Sequence, residues 1–108
     1  MGYGVAIGAR DGTTTVCVTG VVDSMSAGML GKALEAAIHN ATDSVVVDLS
    51  GACYLDLAGV EALVQGCALA DSLHVPYDVR VLPGRVLRTI ELSGAARSLR
   101  IQPAGTGT

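Results

Sequence analysis

Few side chains in this chain could do chemistry. Cys53 with His39 or His74 could form a nucleophile and its base. Asp23, Asp48 and Asp56 could offer carboxylate oxygens to a hard cation such as magnesium. Ser50 could accept a phosphoryl group. Each of these lacks supporting context. No catalytic signature surrounds Cys53, and both histidines fall near predicted helix ends. Nothing brings the substrate phosphates that accompany sparse magnesium carboxylates. A serine placed like Ser50 commonly closes a turn through its own backbone. Gly2, Gly4 and Gly8 precede or enter a strand instead of opening a helix, so they form no phosphate loop. The expectation is a non-enzymatic domain with no catalytic residue, metal or cofactor.

The elements that carry these residues follow from hydrophobic spacing. Val5 to Ala9 and Thr14 to Thr19 read as strands around the turn dipeptide Asp11-Gly12, an antiparallel hairpin. Gly20 is expected to break the second strand. Asp23, Ser24 and Ser26 offer N-caps to a helix near 25–40, whose apolar face is Leu30, Ala33, Leu34, Ala37, Ile38 and Ala41. Val45 to Leu49 is a continuous apolar run, the pattern of a strand covered on both faces. A short polar connection leads to a second helix near 57–72, with Asp56 as N-cap and Val60, Leu63, Val64 and Cys67 along it. Val75-Pro76 ends that helix. Asp78 to Leu82 is a strand, and Pro83 opens a helix near 84–93 on Val86, Leu87 and Ile90, with Gly94 after its end. Ser98 to Ile101 is a weak final strand. Residues 1–102 form one domain, and 103–108 are expected to be a flexible C-terminal tail.

The order is β-β-α-β-α-β-α-β, an α/β fold with a mixed β-sheet of four to five strands flanked by helices. Its core is aliphatic: half of the 108 residues are hydrophobic, with three Tyr and neither Phe nor Trp. Without aromatic faces there is no platform for stacking bases, and a net charge of −3 opposes a nucleic-acid partner. Arg85, Arg88, Arg97 and Arg100 read as a solvated face. Cys17, Cys53 and Cys67 lack CxxC spacing and read as buried free thiols of a reducing compartment. No apolar run reaches the roughly 18 residues of a membrane span, so neither membrane insertion nor a secretory signal is expected. These features point to a cytoplasmic protein.

Four pieces of the chain, in order and at fitting spacing, resemble STAS domains of the anti-sigma factor antagonist family. They are Gly20-Val21-Val22-Asp23, the strand Val45 to Ser50, the loop Tyr54 to Gly59, and Val86 to Gly94. The resemblance implies a STAS-like fold and a protein-binding module of bacterial transcription regulation. Such a module works by partner switching: unphosphorylated, it captures an anti-sigma factor, often a serine kinase of the GHKL type. Phosphorylation of a hydroxyl just before the loop glycine ends the capture.

Here the loop reads Asp56-Leu57-Ala58-Gly59, so Ala58 stands at the phosphoacceptor position and cannot be phosphorylated. The partner-binding residues implied are Asp23, Ser24, Asp56, Leu57, Ala58, Gly59, Val60 and Glu61. Ser50 remains an alternative phosphosite. Alternative functions are a STAS accessory subunit of a transporter or signalling assembly, or a small-molecule-binding STAS domain. The oligomeric state stays open, a dimer included.

Overall fold

The computed structural model describes residues 2–103. Eight elements follow the expected order: β1 Gly4–Arg10, β2 Thr13–Val22, α1 Ala27–His39, β3 Ser44–Leu55, α2 Leu57–Ser72, β4 Tyr77–Val81, α3 Arg85–Ser93 and β5 Ile101–Pro103. They build one five-stranded sheet in the order β1-β2-β3-β4-β5. β1 and β2 are antiparallel across a two-residue turn in which Asp11 and Gly12 have φ of 52° and 85°. Positive φ at both positions is the turn twist that hairpins favour. The other three pairings are parallel.

Strand order equals chain order, and this decides where the helices go. Parallel crossovers are right-handed, so three successive crossovers in one direction place all three helices on the same face. Burial agrees. Val45, Val47 and Leu49 of β3 join Val16 and Val18 of β2 and Tyr77, Val79 and Val81 of β4 in one core cluster. Leu30, Leu34 and Ile38 of α1, Val60, Leu63 and Cys67 of α2, and Val86 and Ile90 of α3 complete it. The opposite sheet face carries Ala6, Gly8, Cys17, Thr19 and Arg80, all exposed. β3 is therefore central but not covered by helices on both faces. Val46 lies outside the core cluster, shielded in register between Thr15 and Asp78.

Four local expectations are corrected. Gly20 does not end β2; with φ of 79° it sits at a register shift, and the strand runs on to Val22. A glycine can absorb that irregularity where a side chain would meet the carbonyl oxygen of Gly2. The connection after Leu49 is strand as well, because the extended β2 offers Gly51, Ala52, Tyr54 and Leu55 partners. Ser98 to Arg100 form a turn, not a strand. Leu99 is fully buried beneath it, and β5 begins at Ile101, opposite Val79. Only Cys67 is a buried thiol; Cys17 and Cys53 are exposed, Cys17 on the helix-free face. Of the expected tail, 104–108 lie outside the described residues, while Pro103 ends β5.

Candidate functional site

The C-terminal ends of β2 and β3 bring two helix openings together. At the end of β2, Asp23 folds the chain back on itself: its Oδ1 accepts from the amides of Met25 at 2.9 Å and Ser26 at 3.2 Å. The Ser26 hydroxyl accepts from the Asp23 amide at 2.9 Å and donates to the Val21 carbonyl at 3.2 Å. These side chains close the turn and leave α1 without a side-chain cap, contrary to the expectation for Asp23, Ser24 and Ser26. Competition between such local bonds and helix capping is inherent to Asp and Ser.

One strand over, Leu55 pairs with Val22, and the Asp56 amide donates to the Val22 carbonyl at 3.0 Å. Asp56 then caps α2 as expected, in extended backbone, its Oδ1 accepting from the Gly59 amide at 3.2 Å. Gly59 is buried, and a Cβ there would lie 2.3 Å from Leu55 Cδ1 and 2.9 Å from Val22 Cγ1. The glycine thus lets α2 lie directly on the strand ends. Val60 is also buried, at 4% exposure.

The expected binding residues therefore divide. Asp56 and Asp23 are half-buried and occupied with backbone amides; Gly59 and Val60 face the core. Ser24, Leu57 and Glu61 are exposed, and Ala58 is half-buried. Leu57 is 64% exposed, with Met25 at 86% and Met29 at 55% around the opening of α1. Sequence reasoning passed over both methionines, although Met25 and Met29 fall outside the Leu30, Leu34 and Ile38 stripe. Val64, placed among the α2 core positions, is 37% exposed. It lines a groove of about 410 Å³ with Leu57, Val60, Glu61, Gln65, Ser93 and Ala95, between α2 and the end of α3. Met25, Met29, Leu57 and Val64 give the surface exposed apolar side chains, and the Met side chains repack easily.

The chemistry weighed from the sequence is not assembled. Cys53 lies near the C-terminal end of β3, whereas His39 ends α1 before β3 and His74 lies between α2 and β4, toward the N-terminal ends of the parallel strands. Asp48 accepts from the Ser50 amide at 2.9 Å, well before the Asp56 loop. Among the described residues, no three His, Cys, Asp or Glu are grouped to hold a metal ion. Ser50 is exposed. Arg85, Arg88, Arg97 and Arg100 are exposed, with Arg100 3.8 Å from Asp71. No described helix is long and apolar enough to cross a membrane.

The comparison with curated proteins found no match. Solved structures do match. An anti-sigma factor antagonist from Mycobacterium paratuberculosis superposes with a TM-score of 0.89 at 22% identity, over 98% of this chain and 90% of that one. The Bacillus cell fate determinant SpoIIAA in its phosphorylated form gives 0.70 at 13% identity, over 98% and 94%. The murine solute carrier 26 family member A9 anion transporter gives 0.72 at 16% identity, over 85% of this chain but only 16% of the transporter. At these identities the likeness establishes the fold. Family membership rests on a separate finding, a match of residues 5–102 to the family model described as "Mlab, STAS domain". The chain belongs to that STAS domain family.

Proposed function

We propose that this protein is an anti-sigma factor antagonist-like binding module that acts by partner switching in bacterial transcription regulation, in the cytoplasm and without catalysis. The observation that carries the reading is the pair of helix openings held side by side by the Asp56–Val22 hydrogen bond, with Met25 and Met29 exposed at the opening of α1 and Leu57 at that of α2. An anti-sigma factor, a serine kinase of the GHKL type among the candidates, would dock on Ser24, Met25, Leu57, Ala58 and Glu61. Asp23, Asp56, Gly59 and Val60 shape that surface from beneath. No hydroxyl is present at residues 55–61, so release does not use phosphorylation of the loop.

The test is recovery of the partner from native cells followed by an affinity series. Ala58→Glu puts a negative charge in the first turn of α2, where it suits the helix dipole but not an apolar contact. It should weaken binding at least tenfold, about 1.4 kcal/mol, while the domain stays folded. Arg97→Ala, on the exposed turn after α3, should bind as the natural protein does. Unchanged binding by folded Ala58→Glu excludes this docking surface.

A second reading is an accessory STAS subunit of a transporter. It is favoured by the presence of the same fold within an anion transporter. A transporter component as the tightest recovered partner would select it.

A further inference from the structure

We infer that the outer edge of β1 pairs with a second copy of this chain, antiparallel about Ile7, making one continuous ten-stranded sheet. This surface is separate from the helix openings described above. The two edges of the sheet are built differently. Among the described residues β5 spans three, Ile101–Pro103, a short edge that carries a proline. β1 is seven residues, Gly4-Val5-Ala6-Ile7-Gly8-Ala9-Arg10, with no proline or lysine and its one charge at the end. None of the usual devices that blunt an edge strand interrupts it.

The backbone chemistry fixes which residues would pair. Arg10 and Thr13 close the two-residue turn and are opposite each other in register. The closing pair of such a hairpin exchanges hydrogen bonds, and the alternation then assigns Gly8, Ala6 and Gly4 to β2 as well. Val5, Ile7 and Ala9 therefore aim their amides and carbonyls away from β2, at the free edge. An antiparallel two-fold through Ile7 sets Ile7 opposite the second copy's Ile7, and Val5 opposite the second copy's Ala9. All three outward residues then find hydrogen-bonding partners. In this register Arg10 faces Gly4, not a second arginine.

The side chains favour the same partner. Val5, Ile7 and Ala9 pair with Val18, Val16 and Thr14, so they lie on the helix-bearing face. Yet Val5 is 39% exposed and Ile7 49%, because α1 reaches only part of the way over β1. Ile7 and Ala9 border a groove of about 250 Å³ with Gly8, Thr14, Ala36, Ala37 and Asn40. The two-fold stands perpendicular to the sheet and brings both grooves to the same side. Each copy's Ile7 is then flanked by α1 on one side and by the symmetry mate on the other. A segment of another protein would need to reproduce this small–large alternation, which the second copy already has.

The experiment combines sedimentation with cysteine cross-linking on the whole chain. The natural protein should sediment as a dimer at micromolar concentration. Ile7→Pro should be monomeric and folded, since proline is tolerated where the amide faces out of an edge strand. Ile7→Lys should be monomeric too. With Cys17→Ser and Cys53→Ser in the background, Ile7→Cys should oxidise to a covalent dimer in good yield. Hydrogen-bonded antiparallel pairs stand about 5.5 Å apart at Cα, within disulfide reach. Val5→Cys should cross-link to Ala9→Cys in a mixture but not to itself. A monomeric natural protein, a dimer that survives both Ile7→Pro and Ile7→Lys, or self-linking by Val5→Cys alone would each overturn the inference. Should Ile7→Pro not fold, Ile7→Lys and the cross-linking pattern still decide.

Discussion

The amide of Asp56 donates to the carbonyl of Val22 across 3.0 Å, one residue beyond the last β2–β3 pair. This bond ties the turn that opens α1 to the residue that caps α2. Segments more than thirty positions apart in sequence become one surface through it. Its partners are backbone groups, so the arrangement depends on strand register and tolerates many side chains. Side chains on that surface can therefore vary without disturbing the arrangement.

Gly59 is where the packing is least forgiving. A valine there would drive its side chain into Leu55 and Val22, both fully buried. Gly59→Val should lower stability by about 1–3 kcal/mol, the usual cost of overpacking a filled core. Chemical denaturation would measure it. A variant as stable as the natural protein would mean that α2 can lift off the strand ends without penalty.

Asp56 is the side-chain cap of α2, and its bond to the Gly59 amide is lost in Asp56→Ala. The expected cost is about 1 kcal/mol. Asp56→Asn keeps an acceptor and should recover most of it. If both variants lose equally, the carboxylate acts through its charge and not as a cap.

Tyr77 is the largest fully buried side chain, and its hydroxyl donates to the Leu63 carbonyl at 2.9 Å. Gly66 makes room for it, since a Cβ there would sit 2.9 Å from the phenol oxygen. Burial, with a smaller contribution from Cys67, raises the phenol pKa far above its ordinary 10.0. Above pH 10 the unfolded chain loses this proton while the folded chain keeps it, so stability falls as pH rises. Tyr77→Phe should lose about 1 kcal/mol at neutral pH and show a shallower alkaline decline. Tyr3 and Cys67, both shifted upward by burial, leave a residual slope. Unfolding curves between neutral and strongly alkaline pH would separate the slopes of the natural protein and Tyr77→Phe; identical slopes would exclude Tyr77 as the cause.

The element order was legible in the sequence because it rests on local signals: the turn at Asp11-Gly12, the spacing of Leu30, Leu34 and Ile38, and the cap at Asp56. The errors arose where tertiary pairing overrides local preference. Gly20 looks like a break, yet an irregular stretch of strand is where glycine is useful. Ser50 to Cys53 are small residues with little strand preference, but Gly51, Ala52 and Tyr54 find partners on a lengthened β2. The run Val45 to Leu49 suggested two covered faces, because residue type does not show that Val46 can be shielded within its own sheet face by Thr15 and Asp78. At the site, Asp56 was visible as a helix start and Leu57 as the residue that follows it. The exposure of Met25, Met29 and Val64 was not, since an apolar residue carries no mark of whether it faces the core or solvent.

Ala58 is the second residue of α2, where free backbone amides and the helix dipole favour negative charge. With the kinase partner proposed above and ATP, the natural protein should gain no phosphate between residues 54 and 61, where Tyr54 is the sole hydroxyl. Ala58→Ser restores a hydroxyl on a half-buried position beside exposed Leu57 and should be phosphorylated. Ala68→Ser, exposed in the middle of the same helix, should not be. A phosphate of about −1.5 to −2 charge on Ala58→Ser should then weaken partner binding at least tenfold, without unfolding the domain. Mass spectrometry locates the phosphate, and titration of the partner before and after phosphorylation gives the affinities. Phosphate on Ser50 of the natural protein would show that kinase control survives at another position. A phosphorylated Ala58→Ser that binds undiminished would move the docking surface away from the opening of α2.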